Sequence, residues 1–291
     1  VTQVKALTTD QIMALTTEHV AGLKVLQLQA LTTAQVASLE TRDVAVLGSQ
    51  HIRALATDQV ASLTTQQMLA LTTDQIAVVQ NNQMAALTTE QVTALSTSLI
   101  GVLNSKQLSA MTTDQVASLT TDQFPSFASE SLKGWSAAQV VAWSTDNVAA
   151  LTTAQVSGIS IAQVAALTTT QIRLMTTEQM MALTTMQLPN LTTDKVAALT
   201  TSQVSSLDLS ALARLTTEQL AALNTAAVVS LTTAQVASLT TTQIQSLSAA
   251  QIAVVETRDL LVLATDRIRA LTTSQLAGLT TLQAAALSST Q

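Results

Sequence analysis

The sequence contains no cysteine and no tyrosine, and only four of its 291 residues are aromatic. Without cysteine the chain can form no disulfide, no thiol nucleophile and no thiolate metal site. Charge is also scarce, with 18 acidic and 12 basic residues and a formal net charge of −6. No basic cluster is present to neutralise phosphates, so we expect no nucleic-acid partner.

Long apolar runs are missing as well, although 47% of the residues are hydrophobic. That hydrophobic content argues against a disordered chain. A Thr-Thr pair or its equivalent interrupts nearly every apolar run well before the ~20 residues that a membrane-spanning helix requires. We therefore expect no membrane span, and no signal peptide is recognisable.

What the sequence does contain is an eight-residue unit, which reads Leu-Thr-Thr-x-Gln-Val/Ile-Ala-Ala/Ser when counted from Leu7. Position 1 of this octad is apolar at all 36 occurrences between residues 7 and 287, and 28 of them are leucine. Position 6 is a large apolar residue at 35 of 36 occurrences, with Ala284 as the exception. Such a short period predicts a repeat architecture in which each unit contacts its neighbours. We interpret residues 1–291 as a single uninterrupted array, and expect it to be an excerpt of a longer chain.

The period of eight residues excludes one continuous helix and a strand. A continuous helix turns about 100° per residue, so residues eight apart would lie ~80° out of phase and no apolar stripe would persist. Position 6 and the next position 1 are three residues apart, which puts them on one face of a helix but on opposite faces of a strand. The pattern therefore predicts a helix of about six residues that ends and restarts in every octad.

Local chemistry supports a helix start in each octad. Thr8 and Gln11 have the spacing of a capping box, and glutamine fills position 5 at 26 of 37 occurrences. Thirteen of the 18 acidic residues lie at position 4, and half of the basic residues lie at positions 7 or 8. This polarity matches a helix dipole that restarts every eight residues. Because so short a helix is unstable alone, we predict an all-α solenoid in which stacked octads bury positions 1 and 6.

The octad pattern is least regular between residues 123 and 147. Four core positions there carry the only aromatic residues of the chain: Phe124, Phe127, Trp135 and Trp143. One interpretation is a locally widened core. The other is a contact surface for a partner protein or a glycan.

Three further departures predict local changes in the helices. Pro125 and Pro189 both occupy position 7, where proline removes a hydrogen-bond donor and crowds the preceding turn, so we expect a shortened or distorted helix at each. Leu209 stands where threonine is usual. We expect Asp208 to cap that helix instead.

Candidate chemical sites are few. His19 and His51 replace the position 5 glutamine without neighbouring metal ligands, so we interpret them as substitutions at a cap site. The position 4 carboxylates are expected to be solvated and to complement the helix dipole. No nucleophile elbow, phosphate-binding loop, dinucleotide-binding motif or calcium loop is present. We therefore expect no enzymatic activity, no catalytic or metal-binding residue and no cofactor.

The phrase Leu-Thr-Thr-x-Gln-Val-Ala-Ala-Leu is closely approached at residues 87–95 and 191–199. It resembles octad arrays of very long bacterial surface and secreted proteins that are described as adhesin-like. The resemblance extends over the whole chain and implies an extracellular or cell-surface protein with a structural or adhesive role. It carries over no catalytic or binding residue.

Two functions from different classes are compatible with these observations. The first is a structural protein that forms or assembles into a bacterial extracellular filament, as a stalk, sheath or adhesin shaft. Its partner would be the chain itself, because low charge opposes lateral association only weakly. The alternative is an α-solenoid binding scaffold, such as a secreted effector or adhesin, that grips a protein or glycan. A third hypothesis, binding of ice or mineral surfaces by rows of threonine, conflicts with threonines that cap helices.

Overall fold

The computed structural model describes residues 2–291, with side chains described from residue 3 onward. Within this range the chain contains 34 α-helices of four to six residues, two 3₁₀ helices and no strand. These elements form two compact units, Val1–Leu151 and Thr152–Gln291, and each unit is described by itself. The prediction of an all-α fold with one short helix per octad is confirmed. The prediction of one uninterrupted array over residues 1–291 stays a prediction.

The first unit contains eighteen α-helices and one 3₁₀ helix. They are α1 (Thr2–Lys5), α2 (Thr9–Met13), α3 (Thr17–Ala21), α4 (Val25–Gln29), α5 (Thr33–Ala37), α6 (Thr41–Ala45), α7 (Ser49–Ala54), α8 (Thr57–Ala61), α9 (Thr65–Ala70), α10 (Thr73–Ala77), α11 (Asn81–Ala86), α12 (Thr89–Ala94), α13 (Thr97–Gly101), α14 (Ser105–Ala110), α15 (Thr113–Ser118), η1 (Phe124–Ser126), α16 (Ser129–Leu132), α17 (Ala137–Val141) and α18 (Thr145–Ala150).

The second unit contains sixteen α-helices and one 3₁₀ helix. They are α19 (Thr153–Gly158), α20 (Ile161–Ala166), α21 (Thr169–Leu174), α22 (Thr177–Ala182), η2 (Leu188–Asn190), α23 (Thr193–Ala197), α24 (Thr201–Ser206), α25 (Leu209–Arg214), α26 (Thr217–Ala222), α27 (Thr225–Val229), α28 (Thr233–Ser238), α29 (Thr241–Ser246), α30 (Ala249–Val254), α31 (Thr257–Leu261), α32 (Thr265–Arg269), α33 (Thr273–Ala277) and α34 (Thr281–Ala286).

Reciprocal caps start the helices. Before α2, the Thr8 hydroxyl accepts a hydrogen bond from the Gln11 amide at 3.2 Å, and Gln11 Oε1 accepts one from the Thr8 amide at 2.9 Å. The carboxylate of Glu90, at position 4, is stabilised first by its own amide N–H and then by the Thr88 hydroxyl, and both lower its pKa. The predicted capping box and the acidic helix starts are therefore confirmed.

The turns between octads need no glycine. No residue between 2 and 291 has a positive φ. In a regular octad such as the one at Leu95, position 1 leaves the helix at φ −62° and ψ 128°, and the next cap residue, Ser96, is also extended. Because any L-residue adopts these angles, the chain folds with only six glycines.

Most helices pack against the element three places away along the chain, counting the two 3₁₀ helices. In the first unit α11 contacts α8 and α14, and in the second unit α26 contacts α23 and α29. Positions 1 and 6 face inward, as in Leu95 and Val92, which are 3% and 0% exposed. This stacking supplies the burial that one short helix cannot provide by itself.

Both prolines change their helices as predicted. The octads of Pro125 and Pro189 contain only the 3₁₀ helices η1 and η2. Proline has no N–H for the bond to the residue four places back, and the Ser126 amide bonds instead to Gln123 at 3.1 Å. Asp208 caps α25, since its carboxylate accepts a hydrogen bond from the Ala211 amide at 2.7 Å.

Candidate functional site

The glutamine at position 5 joins adjacent turns of the solenoid. Gln67 Oε1 accepts a hydrogen bond from the Thr64 amide at 2.8 Å within its own octad. Its Nε2 group donates to the carbonyls of Val36 at 2.9 Å and Leu39 at 2.7 Å. These acceptors lie 31 and 28 residues earlier in the chain. One amide therefore caps the start of its own helix and bonds to the end of a helix in the preceding turn.

We call the glutamines that make this contact the glutamine ladder. In the first unit its members are Gln35, Gln59, Gln67, Gln75, Gln83, Gln91, Gln107, Gln115, Gln123 and Gln139. In the second unit they include Gln187, Gln203, Gln219, Gln235, Gln243, Gln251, Gln275, Gln283 and Gln291.

The ladder pairs backbone carbonyls that short helices leave without a partner. The last four carbonyls of every helix have no partner inside that helix, and helices of four to six residues consist mostly of such ends. All ladder members except Gln291 are buried, with Gln67 and Gln107 each 1% exposed. A buried carbonyl without a donor costs about 1–3 kcal/mol. The ladder amide supplies that donor in each turn.

The inter-turn bonds were not predicted from the sequence, although a signal for them was present. A capping box accepts glutamate as readily as glutamine, yet glutamate occurs at none of the 37 position 5 sites. Glutamate has no N–H to donate. The strong preference for glutamine over glutamate indicates that position 5 usually donates as well as accepts.

Some substitutions at position 5 keep a neutral donor. His51 Nδ1 accepts from the Gly48 amide at 3.2 Å, so the proton lies on Nε2, which is 2.8 Å from the Leu23 carbonyl oxygen. Asn147 Nδ2 donates to the Leu119 carbonyl at 3.0 Å. His19 Nδ1 forms only the cap within its octad, at 3.3 Å from the Thr16 amide. The interpretation of both histidines as cap-site substitutions is confirmed.

Two position 5 sites carry a cation. The Lys195 ammonium donates to the Ala165 carbonyl, and burial lowers the pKa of Lys195. Arg267 Nη1 donates to the Ala237 carbonyl at 2.8 Å. The accepting carbonyls lie near helix C-termini, where the helix dipole favours positive charge.

Two other sites carry an aspartate, which has no donor when ionised. Asp259 Oδ1 accepts from the Thr233 hydroxyl at 2.6 Å and lies 3.6 Å from the Arg258 Nε. Asp43 is 0% exposed, and neither of its carboxylate oxygens forms a hydrogen bond. Burial raises the pKa of Asp43, an effect that the positive charge of Arg42 and the nearby backbone N–H of Glu40 oppose.

The four aromatic residues lie together in the core of the first unit. Phe124 contacts Phe127, Trp135 and Trp143 with ring centroids 5.7–5.8 Å apart. The exposed fraction of each side chain is 3% or less. This placement is the one that a widened core requires. A partner contact through these residues stays a prediction, and as placed they offer a partner almost no surface.

Side chains that commonly bind metals are dispersed. Within residues 2–291, no three His, Cys, Asp or Glu side chains lie close enough together to hold a metal ion. In the same part of the chain, no helix has the length and apolar character needed to cross a bilayer.

Short helices, stacked turns and buried amide bridges define this chain as a helical solenoid repeat protein. Five segments match the family model of the ALTTAQ repeat: residues 36–73, 100–129, 156–193, 212–249 and 252–289. These segments cover more than half of the 291 residues, and the chain belongs to the ALTTAQ repeat family. No curated protein matches the chain. The bacterial surface context that the octad resemblance implies stays a prediction.

Proposed function

We propose that this repeat protein is the shaft of a bacterial extracellular filament. The observation that carries the proposal is the glutamine ladder, which bonds each turn to the preceding turn through the same buried contact. Because most octads supply their own cap and bridge, the array can be lengthened by adding octads. That property suits a spacer or stalk whose length matters more than any single residue.

The surface of the chain supports association between copies. Only 10% of residues are charged, so electrostatic repulsion between copies is weak. Large apolar side chains are exposed on both units, among them Leu26 at 65% and Leu282 at 75%. Repeated apolar contacts on a regular surface favour heterologous packing into fibres.

The proposed role requires no catalysis and no cofactor, and we propose that the chain is not an enzyme. The extracellular location rests on the resemblance to bacterial surface arrays. No side-chain arrangement within residues 3–291 favours the binding-scaffold alternative, and it enters below as an outcome of the test.

Electron microscopy of the purified chain, with analytical ultracentrifugation, tests the filament. We expect uniform filaments or laterally associated bundles. The double variant Leu26→Lys and Leu282→Lys should reduce association while leaving the helical circular dichroism unchanged, because both side chains are exposed. Monodisperse monomers over a wide concentration range would contradict the proposal and favour the scaffold.

A further inference from the structure

The register of the ladder identifies the carbonyls that face Asp43. Eight residues before it, Gln35 Nε2 donates to the Leu7 carbonyl at 2.7 Å, and eight residues after it, His51 Nε2 lies 2.8 Å from the Leu23 carbonyl oxygen. Both contacts span 28 residues. The same register places the Leu15 carbonyl opposite Asp43. The carbonyls 30 and 31 residues back belong to Met13 and Ile12.

These carbonyls lack the donor that the ladder supplies elsewhere. Within residues 2–291, no hydrogen bond is donated to the carbonyl oxygens of Met13 or Leu15, and Ile12 O accepts only the Leu15 amide, at 3.1 Å. They lie at and just beyond the C-terminal end of α2, where the helix dipole concentrates negative charge. The ladder register therefore brings electron-rich carbonyl oxygens to the position that faces Asp43.

Asp43 adds a carboxylate to this pocket. Its side chain is fully buried and its oxygens form no hydrogen bond. The ionised form is stabilised only by the charge of Arg42 and the nearby backbone N–H of Glu40. An isolated buried carboxylate is costly unless a positive charge or a donor compensates it. The carboxylate and the carbonyls together make an oxygen-only, negatively charged set.

Equivalent carbonyls accept positive charge elsewhere in the fold. The Lys195 ammonium and the Arg267 guanidinium each bond to a carbonyl 30 residues earlier. That carbonyl is the register equivalent of Met13. The position 5 site therefore accommodates a positive charge in both octads in which the position 5 side chain is itself a cation.

We propose that Asp43 and the carbonyls of Ile12, Met13 and Leu15 bind a hard metal cation. Carboxylate and carbonyl oxygens are the ligands preferred by calcium and other hard cations, and the absence of nitrogen and sulfur ligands disfavours transition metals. Asp259 occupies the same octad position but already bonds to Thr233 and lies beside Arg258. It provides a matched comparison, because an arginine precedes both aspartates but only Asp259 accepts a hydrogen bond.

Thermal unfolding of the full 291-residue chain tests the site. Wild type, Asp43→Gln and Asp259→Gln are compared in Na⁺, K⁺ and Ca²⁺ chlorides and in tetramethylammonium chloride at equal ionic strength. We expect at least one small cation to raise the wild-type Tm by about 5 °C, saturably, above the value in tetramethylammonium. Asp43→Gln, which restores the ladder amide, should abolish this response. Asp259→Gln should retain it.

Two outcomes would overturn the proposal. The first is a wild-type Tm that is the same in all four salts, or a cation response that survives in Asp43→Gln. The second is a wild type that responds to pH alone, because a protonated Asp43 would itself donate to a carbonyl. Other ionisable groups near Asp43 also contribute to the pH response, and the Asp43→Gln variant corrects for them because it retains them all. They are Glu40 and Arg42 at the start of α6, Asp10 on α2, and Glu18 and His19 on α3. Helix α9, which also packs on α6, carries no ionisable group.

Discussion

Gln67 and Gln11 make the same two hydrogen bonds within their own octads, but they differ in burial. In each, the side-chain Oε1 accepts from the backbone N–H of the cap threonine, and the backbone N–H of the glutamine donates to that threonine's hydroxyl. Gln67 is 1% exposed and also bonds to the preceding turn, whereas Gln11 is exposed. The pair separates the capping role of position 5 from its bridging role.

We predict that Gln67→Glu destabilises the protein by about 3–5 kcal/mol, because it places a carboxylate without a donor against buried carbonyls. Gln11→Glu should change the stability by less than about 0.5 kcal/mol, since glutamate completes a capping box as well as glutamine. Urea unfolding of the two variants at pH 7 measures the difference. Similar losses for both would show that the ladder contributes no stability beyond the cap.

Asp208 provides a pH-dependent contribution. Hydrogen bonds from the Ala211 amide and the Ser210 hydroxyl lower its pKa in the folded protein. A group whose pKa is lower when folded stabilises the protein above its unfolded pKa of about 3.9, and the contribution is lost as pH falls through the folded value.

We predict that Asp208→Ala costs about 1 kcal/mol at pH 7 through loss of the cap. The difference in unfolding free energy between wild type and this variant should become smaller as the pH falls below about 4. Asp208→Asn keeps a good cap that does not titrate, and serves as the control. Urea midpoints measured at pH 7 and pH 3 follow both effects. A gap that stays constant would mean that the Asp208 carboxylate does not interact with the helix start.

At the scale of the helix, position 8 controls how closely a helix approaches its neighbour in the next turn. A Cβ atom added to Gly134 would lie 2.0 Å from the Ser105 carbonyl oxygen and 2.7 Å from its Cα. Gly22, at the same octad position, would meet only carbonyls of its own helix, the nearest at 3.2 Å. Glycine is therefore required at one of these positions and replaceable at the other.

We predict that Gly134→Ala destabilises the protein by about 1–3 kcal/mol, because the backbone of Ser105 must move to accept the methyl group. Gly22→Ala should be neutral or slightly stabilising, since alanine is less flexible in the unfolded chain. Thermal unfolding of the two variants distinguishes the positions. Equal Tm values would indicate that the two turns separate at little cost.

Helix positions could be predicted from the sequence because their determinants are local. The cap at Thr8 and Gln11 spans three residues, and the effects of Pro125 and Asp208 are confined to single octads. The tight approach at Gly134 could not be predicted, because its partner Ser105 lies 29 residues away. The distance along the chain between stacked residues depends on how the helices pack, and an eight-residue pattern does not determine that packing.

The candidate site was predictable in composition but not in contacts. Glutamine at position 5 was recognised as a cap, yet its second partner lies 28–31 residues earlier, as for Gln67 and Leu39. The buried Asp43 could not be distinguished from a solvated acid, since its burial follows from the same unknown stacking. The preference for glutamine over glutamate at position 5 was the one sequence signal that pointed beyond the cap.

At the scale of the whole molecule, equivalent octads should be removable one at a time. Deleting residues 231–238 brings Gln243 into register with the Leu207 carbonyl, which Gln235 bonds in the intact chain. We predict that this variant keeps its helical circular dichroism and cooperative unfolding. Deleting residues 231–234 instead breaks the register of every later octad, and should lower the Tm by more than about 10 °C. Comparable losses in the two variants would argue against equivalent octads.

All bonds of the glutamine ladder run in one direction, from an amide to carbonyls that precede it in the chain. As the polypeptide leaves a ribosome or a secretion channel, its turns would therefore form their ladder bonds without a distant C-terminal segment. Once about thirty further residues have emerged, the next ladder glutamine can donate to the carbonyls of the turn that emerged before it. Folding could then keep pace with delivery over any number of octads, and little unfolded chain would be open to proteases or misassembly at any moment.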